Sequence, residues 1–201
     1  MKLTIIGASG HGKVVADIAA KRGYTEVEFL DDNPLVKECG GYPVLGSSLL
    51  AKDISNDLFV AIGNNIIRSR IMEELLGYEK TIPSLIHPNA ILARDASVGK
   101  GTVIMAGVVI NSNVKIGKGC IVNTCASIDH DCLVGDYVHV SVNAHVCGTV
   151  RIGSNTWIGA GATVINNLTI CPVCTIGAGA VVVKDIVAAG TYVGVPARHI
   201  R

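Results

Sequence analysis

The carboxy-terminal part of the sequence repeats an aliphatic residue at every sixth position. Such a short period is typical of parallel β-helices, in which each repeat supplies one short strand and one corner. Side chains alternate between the two faces of a strand, so the repeated residue is expected to point inward. The seventeen positions are Ile86, Leu92, Val98, Ile104, Ile110, Ile116, Val122, Ile128, Val134, Val140, Val146, Ile152, Ile158, Val164, Ile170, Ile176 and Val182.

Two other positions of the repeat are also restricted. The residue four places after each aliphatic one is small or apolar, which predicts a second inward position as at Ala126, Cys132 and Cys174. The residue three places after is Gly, Asn or Asp in thirteen of the seventeen repeats, and these types tolerate left-handed backbone angles. Three repeats would close a triangular coil of 18 residues, and successive coils would stack at about 4.8 Å.

The amino-terminal residues alternate between buried-strand and helix patterns. Residues 3–6 form an apolar run, residues 7–12 read Gly-Ala-Ser-Gly-His-Gly, and residues 13–20 have the apolar spacing of a helix. A strand, a glycine turn and a helix begin a nucleotide-binding βαβ unit, in which glycines allow a ligand to approach the backbone. We expect a second strand at residues 26–30.

Polar residues follow the predicted strands. Asp31 and Asp32 end the second strand about 20 residues after the glycines, where such folds place a ribose-binding carboxylate. A third strand at residues 58–62 leads into Asn64 and a helix at residues 66–76. The segment is too short for a two-halved dinucleotide fold and its glycine spacing is not standard, so we expect one nucleotide rather than NAD, which disfavours hydride transfer.

These patterns predict two domains. Residues 1–82 are expected to form a small α/β, Rossmann-like βαβαβ domain that binds a nucleotide. Residues 83–201 are expected to form an all-β parallel β-helix with a short carboxy-terminal tail.

Charge and composition narrow the class of protein. The formal net charge of +1 does not favour a nucleic-acid surface. The amino terminus lacks the long apolar core of a signal peptide, and no stretch reaches the roughly 20 apolar residues of a membrane span, so we expect a soluble, cytoplasmic protein. Of the seven cysteines, Cys171 and Cys174 resemble half a zinc site, but a second pair is missing and we expect no metal.

The repeat register also selects candidate catalytic residues. His130 and Asp131 are the third and fourth residues of their repeat, which places them on a corner with accessible side chains, as a general base requires. Gly148 occupies the same corner one coil later, so an unshielded backbone N–H lies about 5 Å along the stack. A base beside a free amide donor suits acyl transfer. His139 should point outward, one coil before Trp157, where it could line a groove for the acyl donor.

Plainer explanations exist for the same residues. Asp131 suits a left-handed corner whatever its chemistry, and an outward histidine such as His130 is often an ordinary surface residue. Asn123 can be a turn residue, and β-helices also serve as rigid spacers.

The whole chain resembles one branch of the hexapeptide-repeat acyltransferases, the nucleotide-sugar N-acetyltransferases of the bacillosamine type together with the related sialic acid O-acetyltransferases. The similar stretches are GASGHG (7–12), FLDDN (29–33), AIGNN (61–65) with Arg68 shortly after, LIHP (85–88), NTCASIDHDC (123–132), HVSV (139–142) and GVPA (194–197). This resemblance implies that the coil is left-handed and that the protein forms homotrimers with the sites between subunits.

The resemblance also implies roles for single residues. His130 would be the general base, Asp131 stands where the family often has Glu, and the Gly148 N–H would face the thioester carbonyl. His139 would contact acetyl-CoA and Asn123 would lie by the sugar. The residues implied to bind the nucleotide sugar are His11, Asp31, Asp32 and Asn64.

We therefore expect an acetyl-CoA-dependent N-acetyltransferase that acts on a UDP-4-amino-4,6-dideoxy-sugar in glycan biosynthesis. A GDP-linked amino sugar is a variant of this function. The alternatives are an O-acetyltransferase for sialic acid or another sugar hydroxyl, and a non-enzymatic scaffold trimer that binds a nucleotide sugar.

Overall fold

A computed structural model of the protein describes residues 1–200. The amino-terminal domain consists of β1 (Lys2–Ile6), α1 (Gly10–Lys21), β2 (Glu26–Leu30), β3 (Glu38–Cys39), β4 (Tyr42–Gly46), a 3-10 helix (Ser48–Asp53), β5 (Asp57–Val60) and α2 (Asn65–Gly77). Its five-stranded sheet has the order β3-β4-β2-β1-β5, in which β4, β2, β1 and β5 are parallel and β3 is antiparallel to β4.

The structure corrects the predicted boundaries in this domain. The glycine turn is shorter than expected, because α1 begins at Gly10 and its first turn contains His11. The helix starts close to the preceding strand, and a Cβ atom at Gly12 would lie 2.2 Å from the carbonyl oxygen of Gly7. The third predicted strand also ends earlier, at Val60, and the hairpin β3–β4 was not predicted.

The β-helix contains one two- or three-residue strand for each predicted repeat. These strands are β6 (Leu85–Ile86), β7 (Ile91–Leu92), β8 (Ser97–Val98), β9 (Val103–Ile104), β10 (Val109–Ile110), β11 (Lys115–Ile116), β12 (Ile121–Val122), β13 (Ser127–Ile128), β14 (Leu133–Val134), β15 (His139–Val140), β16 (His145–Val146), β17 (Arg151–Ile152), β18 (Trp157–Ile158), β19 (Thr163–Val164), β20 (Thr169–Ile170), β21 (Cys174–Ile176) and β22 (Val181–Val182).

Each strand pairs in parallel with the strand that lies three strands later in the chain, which gives the β-helix three flat faces. The first face contains β6, β9, β12, β15, β18 and β21 and is extended by β23 (Gly190–Val193) and β24 (Arg198–His199). The second face contains β7, β10, β13, β16, β19 and β22, and the third face contains β8, β11, β14, β17 and β20. The predicted fold class, an α/β domain followed by a left-handed parallel β-helix, is confirmed.

The inward positions and most of the corners follow the predicted register. The repeated aliphatic residues and the small residues after them form one continuous core. Positive φ angles recur at every sixth residue from Gly101 to Gly179. The expectation of left-handed angles is wrong at Asn89, Asp95 and Asp185, which lie near the two ends of the β-helix and have no positive φ.

The amino-terminal domain packs on the first face of the β-helix. The outward side chains of Leu85, Val103 and Ile121 are buried in the same core cluster as Val15 and Ala19 of α1. The β-helix therefore forms part of the hydrophobic core of the amino-terminal domain. Within residues 1–200, neither α-helix has the length and hydropathy needed to cross a bilayer.

Because the core residues of successive coils stack on one another, a cavity inside the coil should lower the free energy of unfolding considerably. The side chain of Ile110 is 1% exposed, so Ile110→Ala should lower the free energy of unfolding by about 2–5 kcal/mol. Lys115→Ala, on the outward side of the third face, is the control and should change it by less than about 0.5 kcal/mol. Chemical denaturation measures both, and equal effects would contradict the assigned register.

Candidate active site

The candidate residues form three groups in one chain. His130, Asp131 and Gly148 lie on the edge where the second face meets the third, which we call the catalytic edge. Asn64 and His139 line the space between the amino-terminal domain and the first face, which we call the interdomain cleft. Asn123 contacts His139, and His11 lies close enough to His139 to affect its charge. Asp31 and Asp32 lie at the carboxyl end of β2.

The corner between β13 and β14 holds His130 in a defined orientation. Its Nδ1 lies 2.8 Å from Oδ2 of Asp131, so the short Asp side chain does reach the imidazole. The other carboxylate oxygen, Oδ1, accepts a 2.7 Å hydrogen bond from Nδ2 of Asn113, one coil earlier. Asp131 also has a φ of 60°, so it satisfies the left-handed corner and orients the histidine at the same time.

Two carboxylates affect the charge of His130. Hydrogen bonding to Asp131 raises the pKa of the imidazole above its usual value, and the charge of Asp129 adds to this effect. Asp129 does not bond to the ring. Its Oδ1 accepts hydrogen bonds from the His130 backbone N–H at 2.8 Å and from Nδ2 of Asn111 at 2.7 Å. When neutral, His130 donates Nδ1–H to Asp131, which leaves Nε2 free to accept a proton.

Gly148 lies directly beside Nε2 of His130. A Cβ atom at this position would be 2.6 Å from Nε2, so any larger residue would displace the imidazole. The Gly148 N–H donates to no acceptor within residues 1–200. A proton acceptor and an unpaired amide donor therefore lie side by side, which is the arrangement that acyl transfer needs.

The interdomain cleft has a volume of about 480 Å³ and is lined by residues of both domains, among them Asn64, Asn65, His139, Asn155 and Trp157. The rings of His139 and Trp157 are stacked, with centroids 5.6 Å apart and an interplanar angle of 3°. Three buried side-chain atoms around this space have no hydrogen-bond partner within residues 1–200: Nε2 of His11, Nδ1 of His139 and Oδ1 of Asn155.

Arg68 connects the two domains beneath the cleft. Its side chain is almost completely buried and forms no ion pair in the described part of the chain. Its guanidinium donates hydrogen bonds of 2.7 and 2.9 Å to the carbonyl oxygens of Gly119 and Tyr137 in the β-helix, and it also bonds to the carbonyls of residues 62 and 63 and to Asn65. The loop that carries Asn64 is therefore fixed against the first face.

Arg68 also affects the two histidines of the cleft. Burial lowers the pKa of His11 to about 4 and that of His139 to about 3, and the positive charge of Arg68 is the second cause in both cases. Both imidazoles are therefore neutral at physiological pH.

Asp31 and Asp32 already accept hydrogen bonds from the protein. Oδ2 of Asp31 accepts a 2.7 Å bond from the backbone N–H of Ala8 in the glycine turn, whereas Asp32 accepts bonds from Ser47 and Ser48. Both carboxylates line a small cavity of about 180 Å³ with Gly7 at the carboxyl edge of the sheet. Asn64 caps α2 by accepting a 3.0 Å bond from the N–H of Ile67.

One chain does not bring all the candidate residues together. The catalytic edge joins the second and third faces, and it is the edge of the triangular prism that the first face does not reach. His139 and the amino-terminal domain lie on the first face. The candidate base and the candidate nucleotide site are therefore on opposite sides of the same β-helix.

Sequence reasoning assigned no role to Asn113, Asn155 or Arg68. Asn113 lies 18 residues before Asp131, so the coil length alone could have predicted their contact. The bonds of Asn155 and Arg68 depend on how the two domains pack, which no local sequence pattern indicates.

Cys171 and Cys174 lie close together, with their Sγ atoms 3.5 Å apart. Among residues 1–200, no group of three or more His, Cys, Asp or Glu side chains has a metal-binding arrangement. Cys174 and Cys132 are buried in the core of the β-helix, as the repeat register predicted.

The two carboxylates beside His130 predict a graded effect on its pKa. Asp131→Asn should lower it more than Asp129→Asn, because Asp131 both bonds to the ring and carries charge whereas Asp129 acts through charge alone. Titration of the His130 ring by NMR measures this order. An equal pKa in wild type and Asp131→Asn would show that the contact does not persist in solution.

Comparison with known proteins connects both domains to one family. The family model "PglD N-terminal domain" matches residues 2–75, and the model "Bacterial transferase hexapeptide (six repeats)" matches residues 95–130. The UDP-N-acetylbacillosamine N-acetyltransferase of Bacillus subtilis (strain 168) is 38% identical over 111 residues, which cover 52% of this chain and 51% of that protein. The match thus spans about half the length of this curated relative.

Solved structures match over the full length. The acetyltransferase domain of PglB from Neisseria gonorrhoeae FA1090, in complex with acetyl coenzyme A, is 43% identical with a TM-score of 0.95, and the match covers 99% of this chain and 98% of that chain. PerB from Caulobacter crescentus, in complex with CoA and GDP-perosamine, is 34% identical with a TM-score of 0.95 over 100% of this chain and 98% of that chain. The chain therefore belongs to the hexapeptide-repeat acetyltransferases that carry a PglD amino-terminal domain.

Proposed function

We propose that this protein transfers the acetyl group of acetyl-CoA to the amine of a nucleotide-linked 4-amino sugar, for glycan biosynthesis. The observation that carries the proposal is the His130–Asp131 pair beside the unpaired amide of Gly148. The relatives support the choice of substrates, since one is named for a UDP-linked sugar and another is solved with CoA and GDP-perosamine. A UDP-4-amino-4,6-dideoxy-sugar is the favoured acceptor.

In this reaction His130 acts as the general base. An alkyl amine is mostly protonated at neutral pH and becomes a nucleophile when it loses a proton. Nε2 of His130 accepts a proton from the attacking nitrogen, while Asp131 holds the other ring nitrogen and stabilises the imidazolium that forms. The raised pKa of His130 favours this proton transfer.

The neutral amine, whose ammonium proton has been lost to solvent, attacks the thioester carbon directly, without an acyl-enzyme intermediate. The C–N bond forms as the second proton of the nitrogen moves to Nε2 of His130. The Gly148 N–H donates a hydrogen bond to the oxyanion of the tetrahedral intermediate. Collapse of this intermediate re-forms the carbonyl group and breaks the C–S bond, which leaves the amide. The departing CoA thiolate takes the proton from His130, which returns the base to its neutral form.

The two domains divide the binding of the substrates. We assign the nucleotide sugar to residues 1–82, where Asp31 and Asp32 line the sheet edge and His11 and Asn64 lie near the interdomain cleft. Residues 83–201 supply the transfer site, with Asn123 beside the sugar and His139 in contact with acetyl-CoA. The stacked Trp157 extends this surface for the acyl donor.

The positions of the two sites favour an assembly of several chains. His130 lies on the edge opposite the first face of its own β-helix, whereas His139 and the nucleotide-binding domain lie on that face. A second chain must therefore bring its first face to the catalytic edge. A homotrimer closes this arrangement with three equivalent sites between subunits.

Removal of the base gives the direct test of the reaction. Thiol release from acetyl-CoA should be measured with a panel of UDP- and GDP-linked 4-amino sugars and their matched 4-hydroxy analogues. His130→Ala should lower the turnover of the best substrate by about 10²–10⁴-fold. His199→Ala is the control, because this exposed histidine lies on the carboxy-terminal strand β24 and should leave turnover unchanged.

The same panel separates the competing functions. Faster acetylation of the hydroxy analogues would make the protein an O-acetyltransferase. Full turnover by His130→Ala would remove His130 from the mechanism, and nucleotide-sugar binding without any acetylation would favour the scaffold function.

A site between subunits predicts complementation of two inactive variants. His130→Ala and His139→Ala each damage a different side of the shared site. If the two sides come from different chains, co-expressed mixed trimers should contain intact sites and regain about one quarter of the wild-type rate. Each variant expressed alone is the control. No recovery in purified mixed trimers would place both residues in sites built from a single chain.

A further inference from the structure

We propose that Asn123 is a positioning residue for His139, and that it fixes the imidazole in the tautomer with its proton on Nδ1. The inference deepens the proposed function, on which the role of His139 at the acyl donor rests. This role is additional to the one that sequence similarity implies for Asn123, which is contact with the sugar.

The orientation of the Asn123 amide follows from its neighbour. Its Oδ1 accepts a 2.8 Å hydrogen bond from the backbone N–H of Thr124. The amide nitrogen Nδ2 therefore faces His139, and it lies 3.3 Å from Nε2 of the imidazole. Because an amide NH₂ group is a hydrogen-bond donor, Nε2 must be the unprotonated acceptor of this pair.

The surroundings of His139 keep the ring neutral. The titratable groups that face it are Arg68 from α2 and His11 from α1, and each lowers the pKa of His139 in addition to the larger effect of burial. A neutral imidazole carries one proton, so an unprotonated Nε2 places that proton on Nδ1.

The ring is also fixed in position. It stacks on Trp157 with an interplanar angle of 3°, and the indole N–H of Trp157 donates to the hydroxyl of Ser141. Nδ1 is buried and has no acceptor within residues 1–200. Nδ1–H is thus the one unpaired donor of His139, and because it is closed off from solvent in the single chain, an acceptor oxygen reaches it only when side chains of the interdomain cleft move apart.

A neutral, preset N–H donor suits an uncharged acceptor oxygen. In the proposed reaction, a carbonyl oxygen of acetyl-CoA has this chemistry. The other tautomer would place two donors, Nε2–H and the Asn123 NH₂ group, against each other and would leave Nδ1 unable to donate. Asn123 thus acts on the acyl donor through His139.

The tautomer can be measured directly by NMR on the intact protein with ¹⁵N-labelled histidine. The spectrum of His139→Gln identifies the His139 signals by their loss. In wild type we expect the proton on Nδ1. Asn123→Asp keeps the shape of the side chain but replaces the donor by an acceptor, so it should move a proton onto Nε2.

The matched control is Asn143→Asp. Asn143 is an exposed corner residue of the next coil, and its backbone N–H bonds to the carbonyl of Thr124. The substitution Asn143→Asp adds the same charge near the same corner but leaves the Asn123 donor to His139 in place. The tautomer of His139 should therefore not change. Asn123→Asp should raise the KM for acetyl-CoA about tenfold, because the residue that orients His139 is lost, and Asn143→Asp should leave this KM unchanged.

Each result is decisive for one of the two proposals. A proton on Nε2 in wild type, an unchanged tautomer in Asn123→Asp, or the same shift in Asn143→Asp would overturn the inference. An unchanged KM in Asn123→Asp despite the tautomer shift would also overturn it. If wild type shows the expected tautomer but acetylates none of the amino sugars, the proposed function fails while the tautomer assignment stands.

Discussion

The stacking of residues 18 positions apart is the constraint on which the rest of the structure depends. Each coil repeats the backbone path of the previous one, so residues i and i+18 lie side by side in neighbouring strands or corners. The same relation brings Asn113 to Asp131, and it places Gly148 over His130. The hydrogen bonds that connect successive coils therefore also set the geometry of the candidate site, and no separate structural element is needed to support it.

This dependence explains how much could be predicted from the sequence. The period of six was sufficient to predict the seventeen strands, the inward residues and the shared corner of His130 and Gly148, because each of these features depends on local spacing. The amino-terminal boundaries were less accurate, since the start of α1 depends on how Gly12 packs against the preceding turn. Two partners of Arg68, the carbonyl oxygens of Gly119 and Tyr137, belong to the other domain, and no local pattern encodes such contacts.

The contact between domains has a chemical consequence as well as a structural one. Arg68 fixes the loop of Asn64 against the first face through carbonyl groups rather than through a carboxylate. Its charge is therefore not neutralised by an ion pair, and it adds to the larger effect of burial, which lowers the pKa of His11 and of His139 and keeps both imidazoles neutral. The catalytic edge has the opposite environment, where carboxylates raise the pKa of His130. The fold thus separates a histidine that accepts protons from two histidines that remain uncharged.

In the proposed assembly, the reaction takes place between the catalytic edge of one chain and the interdomain cleft of another. A crystal structure of the protein with CoA and its nucleotide sugar would locate both substrates. We expect the reacting amine within about 2.6–3.2 Å of Nε2 of His130, with the nucleotide bound to the amino-terminal domain of a different chain. A complex in which His130 and the nucleotide site of the same chain hold one substrate molecule would contradict it.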